Sequence, residues 1–377
     1  MQFSHRLPAL PLARAAGLAA LLLSQAAFAD IVVGQVAPFS GPQAVTGKAV
    51  RAGAQLWFDA VNARGGVKGQ HIRFVTRDDA QKPEQTVRLV KELIEKESPM
   101  ALLGTIGTTN LEALAADGVL PRTHVGMIGA ISGAASVARA DGMLVVKASY
   151  HDEVARLLSQ LSHLGIRRVG LVYQDDGLGK DVLAGTQEAA GRFGMTLVAR
   201  AGYERNTTEV GPAVDQMLAA SPEVVVLGAT TAAAIEFTRR YETAGGHALL
   251  YGMSIIDTDA LLKALGTQRA RGYAFSIVLP QTSQPSRPIV REYLALQAAS
   301  PNPDLSARSM EGFIAAKAIV MSLEKTQRIT PENVVTTLRT SPPLDLGGYM
   351  LDFSTRGRGG SQYVNFGIFD TNGRVVQ

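Results

Sequence analysis

From residue 30 onward the chain alternates short apolar runs with stretches of helical periodicity. Residues 31–37 form a continuous apolar run, as expected of a strand buried on both faces, and the run stops at Pro38 and the Ser40-Gly41-Pro42 turn. Residues 48–62 place Val50, Ala54, Trp57, Phe58 and Val61 on one helical face. That helix ends at Gly65-Gly66, glycines suited to the left-handed C-cap conformation. The same pattern predicts a strand at 71–77, a charged amphipathic helix at 83–97, a strand at 100–103, a helix at 111–120 and a strand at 124–128. After an apolar run at 143–148 the programme restarts, with helices at 153–164, 181–192 and 210–220 and strands at 168–173, 196–201 and 223–227. Strands separated by crossover helices predict an α/β fold with parallel sheets covered on both faces.

The two halves match in detail as well as rhythm. Ser98-Pro99-Met100-Ala101-Leu102-Leu103-Gly104-Thr105 and Ser221-Pro222-Glu223-Val224-Val225-Val226-Leu227-Gly228 each follow a helix, begin Ser-Pro and run through an apolar stretch to Leu-Gly. Hydroxyl residues follow both. A repeat at this long period predicts two similar lobes rather than a solenoid. The first copy runs on into Ile106-Gly107-Thr108-Thr109-Asn110, a strand end, a tight turn and a helix start. Such a corner offers free N–H groups and hydroxyls to an anion, carboxylates above all, at the strand end where open α/β sheets bind ligands.

The first 29 residues have a different character. Arg6 and Arg14 precede an apolar run at 15–27 too short to span a bilayer comfortably, and Ala27-Phe28-Ala29 gives a small-x-small cleavage pattern. This reads as a signal peptide over 1–29, with Asp30 as the mature N-terminus. A cysteine does not follow the cleavage site, so a lipoprotein anchor is not expected and the mature chain should be released. Removing the two leader arginines leaves 35 basic against 33 acidic residues, so the basic pI does not imply nucleic acid. The chain has 0 cysteines, which rules out disulfide and thiolate chemistry. Its 6 histidines do not fall at metal-ligand spacing. About 350 mature residues exceed one comfortable core, which favours two domains.

With the leader, Ala37-Pro38-Phe39-Ser40-Gly41-Pro42, Asn62-Ala63-Arg64-Gly65-Gly66-Val67, Arg77-Asp78-Asp79 and Tyr173-Gln174-Asp175-Asp176-Gly177-Leu178-Gly179, the chain resembles one family along nearly its whole mature length. It is the leucine/isoleucine/valine-binding family of type I periplasmic binding proteins, the solute receptors of ABC importers. The resemblance implies two Rossmann-like lobes joined by three crossover strands near Ser149, Pro280 and Gly347. Lobe 1 would hold 30–149 and 281–347, and lobe 2 would hold 150–280 and 348–377. It further implies a periplasmic monomer that binds a small carboxylate or amino acid and delivers it to an ABC permease in the inner membrane. A cofactor, a metal and nucleic acid are not implied.

Site positions carry over residue by residue. Thr108 falls where a hydroxyl and backbone N–H hold the ligand carboxylate, and Thr109 is its neighbour. Ala130 falls where a backbone carbonyl meets the ligand amine, and Ser132 where a hydroxyl touches the same head group. Thr46, Leu178, Thr230 and Ser254 fall on further cleft positions. Here the chain departs from the family: Thr46, Leu178 and Thr230 replace frequent tyrosines, and Ser254 stands where an acid pairs with the α-amino group. The ligand is therefore an amino acid or a non-amino organic acid, with Asp175 or Asp176 as alternative partners for an ammonium group.

Other residues carry less specific signals. Asp78-Asp79 reads as a helix-capping turn rather than a metal site. Tyr150 lies near a crossing, with a cleft or hinge role set against plain packing. Asp152 and Glu153 read as acids at the positive end of a helix dipole. Trp57 reads as core, and Arg356-Gly357-Arg358-Gly359-Gly360 as a basic hairpin turn. The mature chain lacks a Gly-x-Ser-x-Gly elbow, a Walker loop, a dinucleotide fingerprint and a zinc motif. The reading is a non-enzymatic solute receptor, with a membrane-coupled sensor or an exported enzyme as rivals.

Overall fold

A computed structural model describes residues 29–377, so the leader read at 1–29 lies outside the described residues except for its last position. Two sheets organise the chain. In the first, β1 (Ile31–Ala37), β2 (Ile72–Asp78), β3 (Ala101–Leu103), β4 (Met127–Ile128) and β5 (Met143–Leu144) run parallel in the order β2-β1-β3-β4-β5. In the second, β6 (Arg168–Gln174), β7 (Thr196–Tyr203), β8 (Val224–Gly228), β9 (Leu249–Gly252) and β10 (Ala274–Ile277) repeat that order as β7-β6-β8-β9-β10. The continuous apolar runs read from the sequence are the buried central strands: every residue of β1, β3 and β8 is buried.

The sequence repeat is a structural one. Ser98 and Ser221 both end a helix in the left-handed conformation, at φ 47° and 46°, and both feed the middle one of the five parallel strands on their side. The second sheet also carries a feature that the helix–strand alternation does not announce. A C-terminal hairpin, β13 (Asn365–Phe369) and β14 (Val375–Val376), adds antiparallel to β10. A turn as short as residues 370–374 joins only antiparallel strands. A third, two-stranded sheet pairs β11 (Leu344–Asp345) with β12 (Met350–Leu351).

Several helices begin earlier than their apolar periodicity suggests, because polar and glycine positions ahead of the apolar face also take helical geometry, in two cases behind a side-chain cap. The helix Ala44–Asn62 starts four residues before Lys48. Tyr150–His163 starts behind a capping box in which Ser149 and Asp152 satisfy each other's backbone N–H groups. Gly177–Arg192 starts at Asp176, whose side chain accepts from Leu178 and Gly179 N–H, so the glycines read as loop lie in the first turn. Strand β5 is shorter than the 143–148 run, since 145–148 leave the sheet.

The chain passes between the sheets three times, after β5, after β10 and before β13. The passages lie side by side. The Tyr349 hydroxyl reaches Val146 O at 2.8 Å and Val278 O at 3.1 Å, and Gly360 N–H donates to Val145 O at 2.7 Å. Leu344, Leu346, Tyr349, Leu351 and Phe353 pack with Trp57 and Phe313 in one apolar cluster of the first sheet's helices. The chain therefore stays with that cluster through Phe353 before it reaches the second sheet at Asn365.

Candidate functional site

The carboxyl end of β3 sits beside β1, where the strand order of the first sheet reverses, which is the crevice position of a doubly wound sheet. Gly107 links the strand to the helix Thr108–Asp117 at φ 101°, a conformation that favours glycine, and a Cβ there would also lie 2.2 Å from Gln81 Nε2. The first N–H groups of this helix have no partner within it. Thr108 begins the helix, buried, with its Oγ1 2.9 Å from Ser132 Oγ. Ser132 is held in turn by Ala134 N–H, which donates to its hydroxyl at 3.1 Å. Ala130 is fully buried, and its carbonyl accepts from Ser132 N–H at 2.9 Å. Tyr150 covers this corner: its ring lies against Gly133, its hydroxyl faces Ser132, and burial pushes that hydroxyl's pKa well above the ordinary range.

The second sheet presents its own strand ends to the same corner. A Cβ on Gly177 would meet Thr108 Cγ2 at 3.2 Å, which places the start of Gly177–Arg192 directly over Thr108. Thr109 Oγ1 lies 3.4 Å from Asp176 Oδ2 and accepts from Gly177 N–H at 3.3 Å. Arg205 reaches across as well, donating to Asn110 Oδ1 at 2.8 Å and Gln81 O at 3.0 Å while its Nε sits 3.2 Å from Asp176. Further along, Asp181 accepts from Ala135 N–H at 3.0 Å. The two halves thus meet through polar contacts along the helix starts.

Leu178 is buried in an apolar cluster that also contains Ala130, Ala134 and Val182. Thr230 lies two residues beyond β8, the counterpart of β3, and its N–H donates to the Tyr203 hydroxyl at 2.9 Å. Burial pushes Tyr203 up to about 12. Thr230 and Thr46 line a cavity of about 590 Å³ between the two halves, together with Val45, Ile235, Glu209 and Asp257. That volume lies within the usual range for small-molecule sites, and its acids are not balanced by lysine or arginine in the lining.

Ser254 makes the most unexpected contact. Its N–H and hydroxyl donate to the two carboxylate oxygens of Glu153, at 2.9 Å and 2.7 Å, and Ser276 donates to the same carboxylate. Burial pushes Glu153 above the ordinary glutamate range, against the pull of these donors. The Ser254 carbonyl accepts from Arg308 at 2.8 Å. Arg308 also lies 3.1 Å from Glu311, which lies 2.9 Å from Lys147, all three buried.

The structure therefore gathers Thr108, Ser132 and Tyr150 at one corner, with Thr109 against the opposing helix start and Ala130 and Leu178 packed behind. It sets Thr46 and Thr230 at the neighbouring cavity, and Ser254 on Glu153. Asp176 is engaged by its helix cap, Gln174, Arg205 and Thr109, and Asp175 is exposed. The sequence reading missed Glu153, Tyr203, Arg205 and Arg308. Glu153 did leave a signal: it shares the apolar face of its helix with Tyr150, Val154, Leu157, Leu158 and Leu161. Among the described residues, groups of three or more metal-ligand side chains do not occur, and helices long and apolar enough to cross a membrane do not occur.

A family model described as periplasmic binding protein matches residues 30–374. The crystal structure of a substrate-binding periplasmic protein from Ralstonia solanacearum is 40% identical, superposes with a TM-score of 0.89, and covers 92% of this chain and 100% of its own. The Leu/Ile/Val-binding protein homolog 8 of Brucella abortus (strain 2308) is 24% identical over 83% of this chain and 81% of its own length. A branched-chain amino acid ABC transporter protein from Thermus thermophilus, solved with bound valine, shares the fold at a TM-score of 0.81 and 18% identity, over 92% of this chain and 94% of its own.

Proposed function

Because the chain belongs to the periplasmic binding protein family, we propose that it is the solute receptor of an ABC importer, capturing a small carboxylate-bearing solute between two lobes and handing it to a membrane permease. The observation that carries this reading is the buried Thr108–Ser132 hydroxyl pair at the start of a helix, directly beneath the opposing helix start at Gly177. Hydroxyls and unpaired helix N–H groups suit a carboxylate and need no cation. We assign Thr109, Ala130, Tyr150 and Leu178 to that head-group site, Thr46 and Thr230 to the adjoining cavity, and Ser254, beside Glu153, as a further candidate contact. Ligand contacts from both sides favour a closed arrangement, so release accompanies opening. These hydroxyls and backbone groups bind without activating a nucleophile, and the role we assign is not enzymatic.

Mass spectrometry of small molecules released when gently purified protein is denatured tests the reading. One carboxylate-bearing solute is expected, and adding it back should shrink the radius of gyration in small-angle scattering. Recovery of a solute without a carboxylate, or turnover of the bound metabolite, would refute it.

A further inference from the structure

Asp79 is a fully buried carboxylate on the loop after β2, where the sequence suggested a helix-capping acid. The helix that follows, Pro83–Glu97, has no side-chain cap, so that role is unfilled. The two carboxylate oxygens serve another purpose. Oδ1 accepts from Gln81 N–H at 2.9 Å, and Oδ2 accepts from the buried Thr86 hydroxyl at 2.6 Å. Ala80 and Gln81 both hold left-handed backbone, at φ 48° and 63°, a conformation uncommon outside glycine. The bond to Oδ1 pins the second of them, and the Gln81 carbonyl is one acceptor for Arg205, at 3.0 Å. The other oxygen leads to the other acceptor. The Thr86 hydroxyl gives its proton to Asp79 and so accepts from Asn110 Nδ2, at 2.8 Å. That contact turns the Asn110 amide oxygen to Arg205, whose same nitrogen donates to it at 2.8 Å.

Both acceptors that the first half offers to Arg205 therefore trace back to one carboxylate, one through each oxygen. Along the longer branch the donors run in a single direction, guanidinium to amide, amide to hydroxyl, hydroxyl to carboxylate, and such aligned bonds polarise one another. Asp79, Thr86 and Asn110 are all fully buried, so their partners are fixed by this branch. Burial pushes Asp79 above the ordinary aspartate range, and the Arg205 charge opposes that push. We propose that Asp79 is a positioning residue for closure: it orients Gln81 and Asn110 in the first half so that Arg205 of the second meets two ready acceptors. Asn110 lies in the first turn of the helix that Thr108 begins, so the same setting steadies the solute corner. The assignment rests on the proposed opening and closing of the two halves and is independent of the solute's chemistry.

Asp79→Asn removes the charge and sets an amide against Thr86, whose hydroxyl then turns to Lys82 O, 3.2 Å away. Spin labels on cysteines introduced at the exposed positions Glu84 and Gln187 of the mature chain, as purified, report the distance between the halves by pulsed electron resonance. Asp79→Asn should lower the closed-to-open ratio about tenfold, the scale of one hydrogen bond. In the Arg205→Ala background the same change should move the ratio less than about twofold, because the two residues act through one contact. Thr86→Val should act as Asp79→Asn does, and Thr86→Ser, which keeps the hydroxyl, should keep the native distances. Should Asp79→Asn fail to fold, the two Thr86 variants carry the comparison in both backgrounds. A merely structural Asp79 would lower the melting temperature and leave the distances native, which would overturn the proposal. Equal losses with and without Arg205, or a native protein showing only the open distance, would overturn it too. An Asp79-dependent closed form that carries a solute without a carboxylate, by mass spectrometry, would refute the carboxylate reading and support this assignment.

Discussion

Arg205 offers the sharpest handle on closure. It belongs to the second half, follows β7, and donates from one guanidinium nitrogen to Asn110 Oδ1 and Gln81 O in the first. Its pairing with Asp176 lies within its own half and survives opening. Arg205→Ala therefore removes two hydrogen bonds that exist only when the halves meet. Each bond from a charged donor contributes about 1.5–3 kcal/mol when buried. The side chain is 22% exposed, and water replaces part of the interaction on opening. A net loss of about 2 kcal/mol in closing free energy is expected, or about 30-fold in the closed-to-open ratio. The absence of cysteine makes the assay clean. Spin labels on cysteines placed at the exposed positions Glu84 and Gln187 report the distance between the halves by pulsed electron resonance. The variant should shift towards the longer distance, and the solute recovered from the native protein should bind it about 30-fold more weakly, mostly through faster release. Unchanged distances together with unchanged affinity would refute the idea that Arg205 fastens the closed form.

Three further outcomes are expected. Glu311→Leu leaves Lys147 and Arg308 buried without their carboxylate and should cost about 3–5 kcal/mol in urea unfolding, while adding Lys147→Met should restore most of it; a loss under about 1 kcal/mol would contradict the pairing. Thr108→Ala should cost about 1.5–3 kcal/mol of solute binding by calorimetry with near-native melting, and native affinity would remove Thr108 from the site. Burial raises the Glu153 pKa, so the folded chain retains a proton that the unfolded chain releases. That contribution to stability is complete below the ordinary glutamate value, about pH 4.3, and is lost as pH rises through the raised folded value. Glu153→Gln should flatten this fall in stability on raising the pH, and an unaltered pH profile by chemical denaturation would count against it.

Much of the architecture was legible because apolar runs and helical faces report burial directly. The runs at 31–37 and 223–227 became central strands, and the Ser-Pro repeat marked equivalent left-handed helix ends. Helix starts were harder to read. Thr108, Tyr150 and Gly177 begin helices through capping and packing at polar or glycine positions, which periodicity does not register. The site was legible in part. Thr108 and Ser132 are brought together by the sheet order, but the partner of Ser254 comes from a helix a hundred residues away in sequence, and no local pattern announces such a meeting. Glu153, Lys147 and Glu311 share a subtler mark, a charge set within an otherwise apolar run or face, and that mark was passed over as helix-end chemistry or left unread.

The three passages between the sheets have a mechanical consequence. Separate linkers would let one half bend, slide and twist against the other. Here the Tyr349 hydroxyl spans the carbonyls of two passages, and the third is stitched to the first by Gly360 N–H. Strips laid side by side and tied edge to edge flex easily across their thickness and resist shear within their plane. On the proposed opening and closing, the joint would behave as a leaf spring with a single compliant direction, and each closing stroke would return Thr109 to Gly177 and Arg205 to Asn110 without a search over angles.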